Sequence, residues 1–433
     1  MKQQRPRIRS PRRSSALAAA AVLAVAAATP TAVPGTAPAR AGHARARDAG
    51  AAACALAPAP GASPLSEGIP TPVGHSRGTG RVDALTLMID FPDAPGEGTA
   101  RRRFREFFPQ TARWFARASY GRLDYRVSAP AGRWLRMPRP FGSYGLDRGS
   151  PYEPGYHRLL TDLVRVAGPV VDFRRHDLVN VLVTPNAGPP AVRAVLSVSF
   201  AANPRAPVAD GVRLANVSFV YGRQDDGTGS YPRTGFRVLP HENGHLFGLP
   251  DLYTGAGGDL AGHWDVMSED WGPGNDLMAW HKWKLGWLRA GQVACAARRG
   301  GSAHTLSPLG RPGGTKLVVV PLSATEALTA EARTDEGNDD RVCRPGVLIS
   351  RVDTRTGSGG GPVRVADATP GSPGCTREPN VHPGLSDAAH RPGQSFTAGA
   401  RGERVTVRVT GRDARGGYRV EVTRGPASAG GRG

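Results

Sequence analysis

Phe236-Arg237-Val238-Leu239-Pro240-His241-Glu242-Asn243-Gly244-His245-Leu246-Phe247-Gly248-Leu249-Pro250-Asp251 is the most informative stretch of this 433-residue chain. Two histidines four residues apart project from one face of a helix, where both imidazoles can hold one zinc ion. Glu242 stands beside them, placed to take a proton from a metal-bound water. Gly248 lets the chain turn sharply after the helix, so Asp251 can swing back as a third ligand. Three protein ligands and one open position distinguish a catalytic zinc from a structural one. Glu269 is a rival third ligand, since a downstream Glu completes some zinc sites; the spacing favours Asp251.

The motif reads HExxHxxGxxD and is followed by Asp265-Val266-Met267-Ser268. A Met-containing turn at this separation is the second mark of the metzincin plan, in which a Met side chain packs beneath the metal. Ordinary core packing would suit Met267 equally well, and the two roles are compatible. Surface histidines on an exposed helix would require all these features to coincide.

On these residues the chain resembles the M6 family of secreted metallopeptidases, the immune inhibitor A group. The resemblance rests on residues 241–253, on His263 to Ser268, and on Ala279-Trp280 through Leu285-Gly286-Trp287. Upstream, Met88 to Asp93 and Ala118 to Leu123 look like the family's first strand and the end of its long helix. It spans about residues 82–290 and implies a zinc-dependent endopeptidase. Zinc would sit on His241 and His245 with Glu242 as base, and Asp251 takes the HxxGxxD position. The expected reaction is attack of a Zn-bound water, activated by Glu242, on a peptide carbonyl. Some metzincins place a Tyr two residues after the Met to stabilise the oxyanion; here that position is Glu269. Tyr253, His263 and His281 are the candidates to assist instead, each with a structural role as its alternative. Many relatives also carry a long pro-domain, whereas only about forty residues separate the export signal from the first strand.

The flanks of the motif predict a metzincin-like α/β (α+β) catalytic domain over residues 81–290. Residues 85–89 and 178–183 are apolar runs of strand length, and 195–200 and 212–221 suggest two more strands. Phe104, Phe107, Phe108, Phe115 and Ala118 recur at helical spacing around Pro109, and Leu159, Leu160, Leu163 and Val164 form another helical face. Beyond residue 290 the runs 316–322, 346–352, 404–410 and 418–423 are β-type, separated by Gly/Pro/Asp-rich turns. They predict a smaller, sandwich-like all-β domain over 291–424, with a flexible tail at 425–433. Residues 42–80, rich in Ala, Gly and Pro, read as a linker or short pro-segment.

Residues 1–14 hold six basic residues and no acid, followed by an Ala/Val/Leu run through Ala28. This is the pattern of a secretory signal within residues 1–41, with Arg12-Arg13 leaving the twin-Arg route open beside the general one. The expected location is therefore extracellular. Secretion permits disulfides, and of three connectivities for the four cysteines, Cys343–Cys375 with Cys54–Cys295 is favoured. No later apolar run is long enough to span a membrane.

Of the 56 basic residues only Lys2, Lys282, Lys284 and Lys316 are lysines. Seven of the 56 lie in residues 1–41 with no acid, leaving +13 of the formal +20 on the remaining chain. The arginines are spread along the chain without a nucleic-acid motif, so no nucleic-acid partner is expected. The expected partners are protein or peptide substrates, and the chain is taken as a monomer. Asp335, Glu336, Asn338, Asp339 and Asp340 form an acidic cluster whose oxygens would suit calcium, though without EF-hand spacing; a solvated loop is the alternative. Two further functional classes compete with the endopeptidase: a catalytically silent binding module on the same scaffold, and a zinc hydrolase of a non-peptide amide.

Overall fold

The computed structural model describes residues 50–146, 154–193, 195–224, 230–254, 260–269, 275–376, 383–400 and 402–426. The expected export segment and most of the expected tail lie outside them. The described chain is a mixed α/β structure with several sheets, most of its regular structure in strands and few helices. That is compatible with the α+β class expected.

The first sheet begins with β1 (Gly80–Asp90), β2 (Leu123–Ser128), β3 (Leu135–Arg136), β4 (Leu178–Val183) and β5 (Val198–Phe200). A short hairpin, β6 (Val208–Ala209) with β7 (Val212–Arg213), leads to β8 (Val217–Val220). The strand order is β2-β1-β4-β8-β5, with β3 on the far end of β1. All pairs are parallel except β5, which lies antiparallel on the β8 edge. Central strands are apolar at almost every position because both faces are covered. Leu178 and Leu182 enter one core cluster, while Val179, Val181 and Val183 enter the other. The run expected over 212–221 is broken: Leu214 N–H bonds back to Pro207 O, so the chain leaves β7 before β8 starts.

Among the described residues there are five α-helices, α1 (Ala100–Phe107), α2 (Gln110–Ala118), α3 (Pro154–Ala167), α4 (Val238–Leu246) and α5 (Ala279–Lys284), the first four of which flank this sheet. Thr99 caps α1 by accepting the Arg102 N–H at 3.1 Å. Pro109, which has no N–H to give a helix interior, separates α1 from α2. Phe115 and Trp114 on α2 pack into the cluster that also holds Phe247 and Trp287.

The C-terminal strands make two sheets. β9 (Val293–Cys295), β11 (Leu317–Pro321), β12 (Glu326–Arg333), β13 (Gly346–Asp353) and β14 (Val363–Val365) form one, with β9 parallel to β11 and the rest antiparallel. β10 (Gly300–Leu306), β15 (Ser395–Ala400), β16 (Glu403–Arg412) and β17 (Tyr418–Pro426) form the other, in the antiparallel order β10-β17-β16-β15. Val405, Val407 and Val409 alternate with polar residues because only one face of β16 is buried. They meet Val318 and Val320, whereas Leu317 and Val319 point the opposite way into the cluster containing Leu239 and Trp280. The five-stranded sheet is thus a middle layer, one face on the outer sheet and the other on the α4 side of the molecule.

Residues 50–80, expected as a linker or short pro-segment, are tied to this core. Cys54 is bonded to Cys295, and Cys343 to Cys375, the favoured pairing. Trp280 Nε1 donates to Glu67 O at 3.1 Å, and Trp287 Nε1 to Gly78 O at 2.6 Å. Lys282, Lys284 and Lys316 are all buried, each with Nζ donating to a main-chain carbonyl: Ala118, Gly68 and Pro308 respectively. Among the described residues no helix is long and apolar enough to cross a membrane.

Candidate metal centre

Every residue of α4 is buried, so this helix shows no amphipathic stripe; Val238, Leu239 and Leu246 enter the core, and polar contacts on its other side add to its placement. Asn243, the residue between Glu242 and Gly244, points into the sheet. Its Nδ2 donates to Asn180 Oδ1 (2.9 Å) and Ser218 Oγ (3.2 Å), and its Oδ1 accepts from the Tyr125 hydroxyl (2.7 Å). Asn180 Nδ2 closes the ring on Tyr125 Oη at 2.9 Å. Burial, opposed only by this Asn180 bond, pushes the Tyr125 phenol up, so it stays a donor. A fully satisfied buried network of this kind fixes one pose of helix on sheet.

The helix ends in a Schellman turn. Gly248 N–H bonds to His245 O (2.9 Å) and Leu249 N–H to Gly244 O (2.9 Å), with Gly248 at φ +93°. The turn brings Leu249 O to 2.9 Å from His245 Nδ1, and the Met-containing turn brings Val266 O to 2.8 Å from His241 Nδ1. A carbonyl can only accept, so both Nδ1 atoms carry a proton, and in the neutral rings both Nε2 lone pairs face the same space. Asp251 Oδ1 meets them there, 3.2 Å from each Nε2. Asp251 Oδ2 is held separately, accepting from Ser358 Oγ at 2.7 Å, while Ser358 Oγ accepts the Asp251 N–H at 2.9 Å.

This donor set fits zinc. Asp251 Oδ1 is buried without a hydrogen-bond partner, and three acceptor atoms converge on one point. Their 3.2 Å O···N separations match the edge of a tetrahedron with zinc bonds near 2.0–2.1 Å, about 3.3 Å. Burial alone would raise the Asp251 carboxyl, but the charge and contacts of His245 and His241 outweigh it and hold the carboxyl well below its usual range. His245 is the mirror case: burial would lower it, and Asp251 raises it.

Glu242 is almost wholly buried beside the three donors. Ser199 on the edge strand β5 donates its hydroxyl to Oε2 at 2.7 Å, and Ser218 Oγ stands 2.9 Å behind Ser199. Burial raises the Glu242 carboxyl, opposed by His241, His245 and the Ser199 bond. A carboxylate held this way has a proton affinity above that of a solvated one and an orientation set by one hydroxyl.

Met267 is fully buried beneath α4, where its Sδ takes the space a Cβ at Gly244 would occupy. Asp265 shapes its turn: Oδ1 accepts Met267 N–H (2.8 Å) and Oδ2 accepts Met278 N–H (2.6 Å). The three residues expected to assist an oxyanion separate. Tyr253 is exposed, and His263 is buried and stacked on Trp264. His281 lies behind the turn, with Nδ1 2.8 Å from Asp265 Oδ2 and Nε2 3.0 Å from Glu67 Oε1, so both ring nitrogens face carboxylates. Glu269 is not gathered with the histidines; among the described residues only His241, His245 and Asp251 converge as a metal-ligand group. In the acidic cluster considered for calcium, Asp339 pairs with Arg333 at 2.6 Å, Glu336 pairs with Arg311, and Asn338 donates to Trp114 O.

Nothing in the sequence around Ser199, Ser358 or Glu67 marks them for these roles. The polar network behind Asn243 does carry a local signal, Asn180, a lone amide in a strand otherwise wholly apolar. No family model matches the chain, and no curated protein matches it.

Proposed function

We propose that this chain is a secreted zinc-dependent endopeptidase with a metzincin-like catalytic fold, as its resemblance to the immune inhibitor A group implies. The observation that carries this is the convergence of His241 Nε2, His245 Nε2 and the partnerless Asp251 Oδ1 beside a buried carboxylate. When bound, zinc supplies Lewis-acid polarisation of a carbonyl and lowers the pKa of water.

The chain's own residues do the rest. His241 and His245 present neutral imidazoles because their Nδ1 protons are committed to Val266 O and Leu249 O. Glu242, steered by Ser199, takes a proton from the attacking water and hands it to the leaving nitrogen. Its burial favours this shuttle, since raised proton affinity makes the carboxylate a stronger base toward the attacking water. The two disulfides accord with export to an oxidising compartment.

The test is Glu242→Gln, which keeps shape and removes the base. The variant should bind zinc like the wild type and lose casein hydrolysis by about two to four orders of magnitude. Full activity in the variant, or activity that survives a chelator in the wild type, would refute the mechanism. Zinc binding without any casein cleavage by the wild type would favour a silent scaffold or a non-peptide amide substrate.

A further inference from the structure

Residues 65–68 lie upstream of β1, in a stretch whose composition reads as a linker or short pro-segment, yet two lines of contact run from them to two of the three candidate ligands. One starts at Glu67, which is fully buried and whose Oε1 lies 3.0 Å from His281 Nε2. His281 Nδ1 lies 2.8 Å from Asp265 Oδ2, and Asp265 fixes the turn whose Val266 carbonyl accepts the His241 Nδ1 proton. The other starts one residue earlier. Ser66 bridges Gly357, and Ser358 N–H bonds to Leu65 O at 3.1 Å. Ser358 Oγ then donates to Asp251 Oδ2, and Gly359 N–H reaches Asp251 O at 3.3 Å.

Neither line is needed merely to fill space. A carboxylate sealed from solvent is unfavourable unless it is paired, and Glu67 has His281 as its pairing partner. Likewise, a ligating carboxylate has two oxygens, and the atom that does not face the histidines here is held by a hydroxyl from the turn between β13 and β14. Outer contacts of this kind set ligand orientation and with it metal affinity.

We propose that residues 65–68 are a positioning element of the metal centre, acting through Glu67 on His241 and through Ser358 on Asp251, and that this segment belongs to the active protein. The proposal rests on the zinc reading above. It makes Glu67 and Ser358 positioning residues, since neither touches the metal or substrate.

The test compares the full chain with Glu67→Gln, Ser358→Ala and Ser358→Thr. Zinc affinity is measured by competition with a chromophoric chelator, and the urea midpoint of the metal-free protein is followed alongside. Ser358→Ala should weaken zinc about 10- to 100-fold with an unchanged metal-free midpoint, and Ser358→Thr, which keeps the hydroxyl, should recover most of it. Glu67→Gln should also weaken zinc, and the two losses should multiply in the double variant because they end on different ligands. Wild-type affinity in both Ser358→Ala and Glu67→Gln would overturn the proposal. If Glu67→Gln does not fold, Ser358→Ala decides by the same criterion. A wild type that binds no zinc defeats both this proposal and the zinc reading. A wild type that binds zinc but spares casein defeats only the peptidase, leaving the comparison of affinities intact.

Discussion

Met267 Sδ and Gly244 meet so closely that no side chain fits between the turn and the helix. In an exposed helix, replacing Gly by Ala would stabilise by about 1 kcal/mol. Here the new methyl would push Met267 off the floor of the site, and overpacking of a buried position costs about 1–3 kcal/mol. Gly244→Ala should therefore lower the thermal midpoint and weaken zinc binding together. A variant as stable as the wild type would show that the turn yields without consequence.

Asp251 and Glu269 compete in the sequence for the third ligand position, and they separate in space. Asp251→Asn should lose zinc affinity by two orders of magnitude or more, because a charged donor is removed from a three-ligand site. Glu269→Gln should bind zinc within a few-fold of the wild type. Metal content after dialysis measures both, and the opposite ranking would reassign the ligand.

His281 sits between two carboxylates and is pushed up to about 10: burial would lower it, and Asp265 and Glu67 outweigh burial. An unfolded histidine titrates near 6.5. Between these values the folded chain keeps a proton the unfolded chain has lost, so this contribution is complete below pH 6.5 and declines as pH rises. Lys284, beside Glu67, is lowered to about 8 by burial, and Lys316 is also lowered to about 8, so both act oppositely above pH 8. The clear window is pH 6.5 to 8. There the urea midpoint of the zinc-saturated wild type should fall more steeply than that of His281→Gln. Parallel slopes would mean the imidazolium is not what the two carboxylates hold.

The two disulfides close loops of very different length, with separations of 241 residues for Cys54–Cys295 and 32 for Cys343–Cys375. Chain entropy alone assigns the longer about 5 kcal/mol and the shorter about 4 kcal/mol. Serine replacement of the Cys54–Cys295 pair should lower the thermal midpoint more. Because that bond anchors the residues leading to Glu67, it should also weaken zinc binding, which loss of the other pair should not. Calorimetry with and without zinc distinguishes the two effects.

What could be read in advance was what is local. His241, Glu242, His245 and Asp251 fall within eleven consecutive residues, so one helix and one glycine turn suffice to bring them together. Strands such as β4 and β11 are legible because burial on both faces leaves a nearly continuous apolar run. Ser199, Ser358 and Glu67 are not, since each reaches its partner across 43, 107 or 214 residues through sheet register and turn geometry. A serine in a short edge strand or a glycine-rich turn looks like any solvated serine. Residues 50–80 have no apolar period either; they are held by one disulfide, by single polar contacts and by a few scattered apolar side chains such as Leu56.

Beyond Lys2, the chain has three lysines, and all three have their amines buried against main-chain carbonyls. The permanent positive charge displayed by the described residues is therefore guanidinium, which keeps its proton at any pH the fold survives. An amine-acylating reagent finds no lysine to modify on that surface while the protein is folded. Labelling at positions 282, 284 and 316 would thus report opening of the core: a covalent clock for unfolding, written into the choice of arginine over lysine.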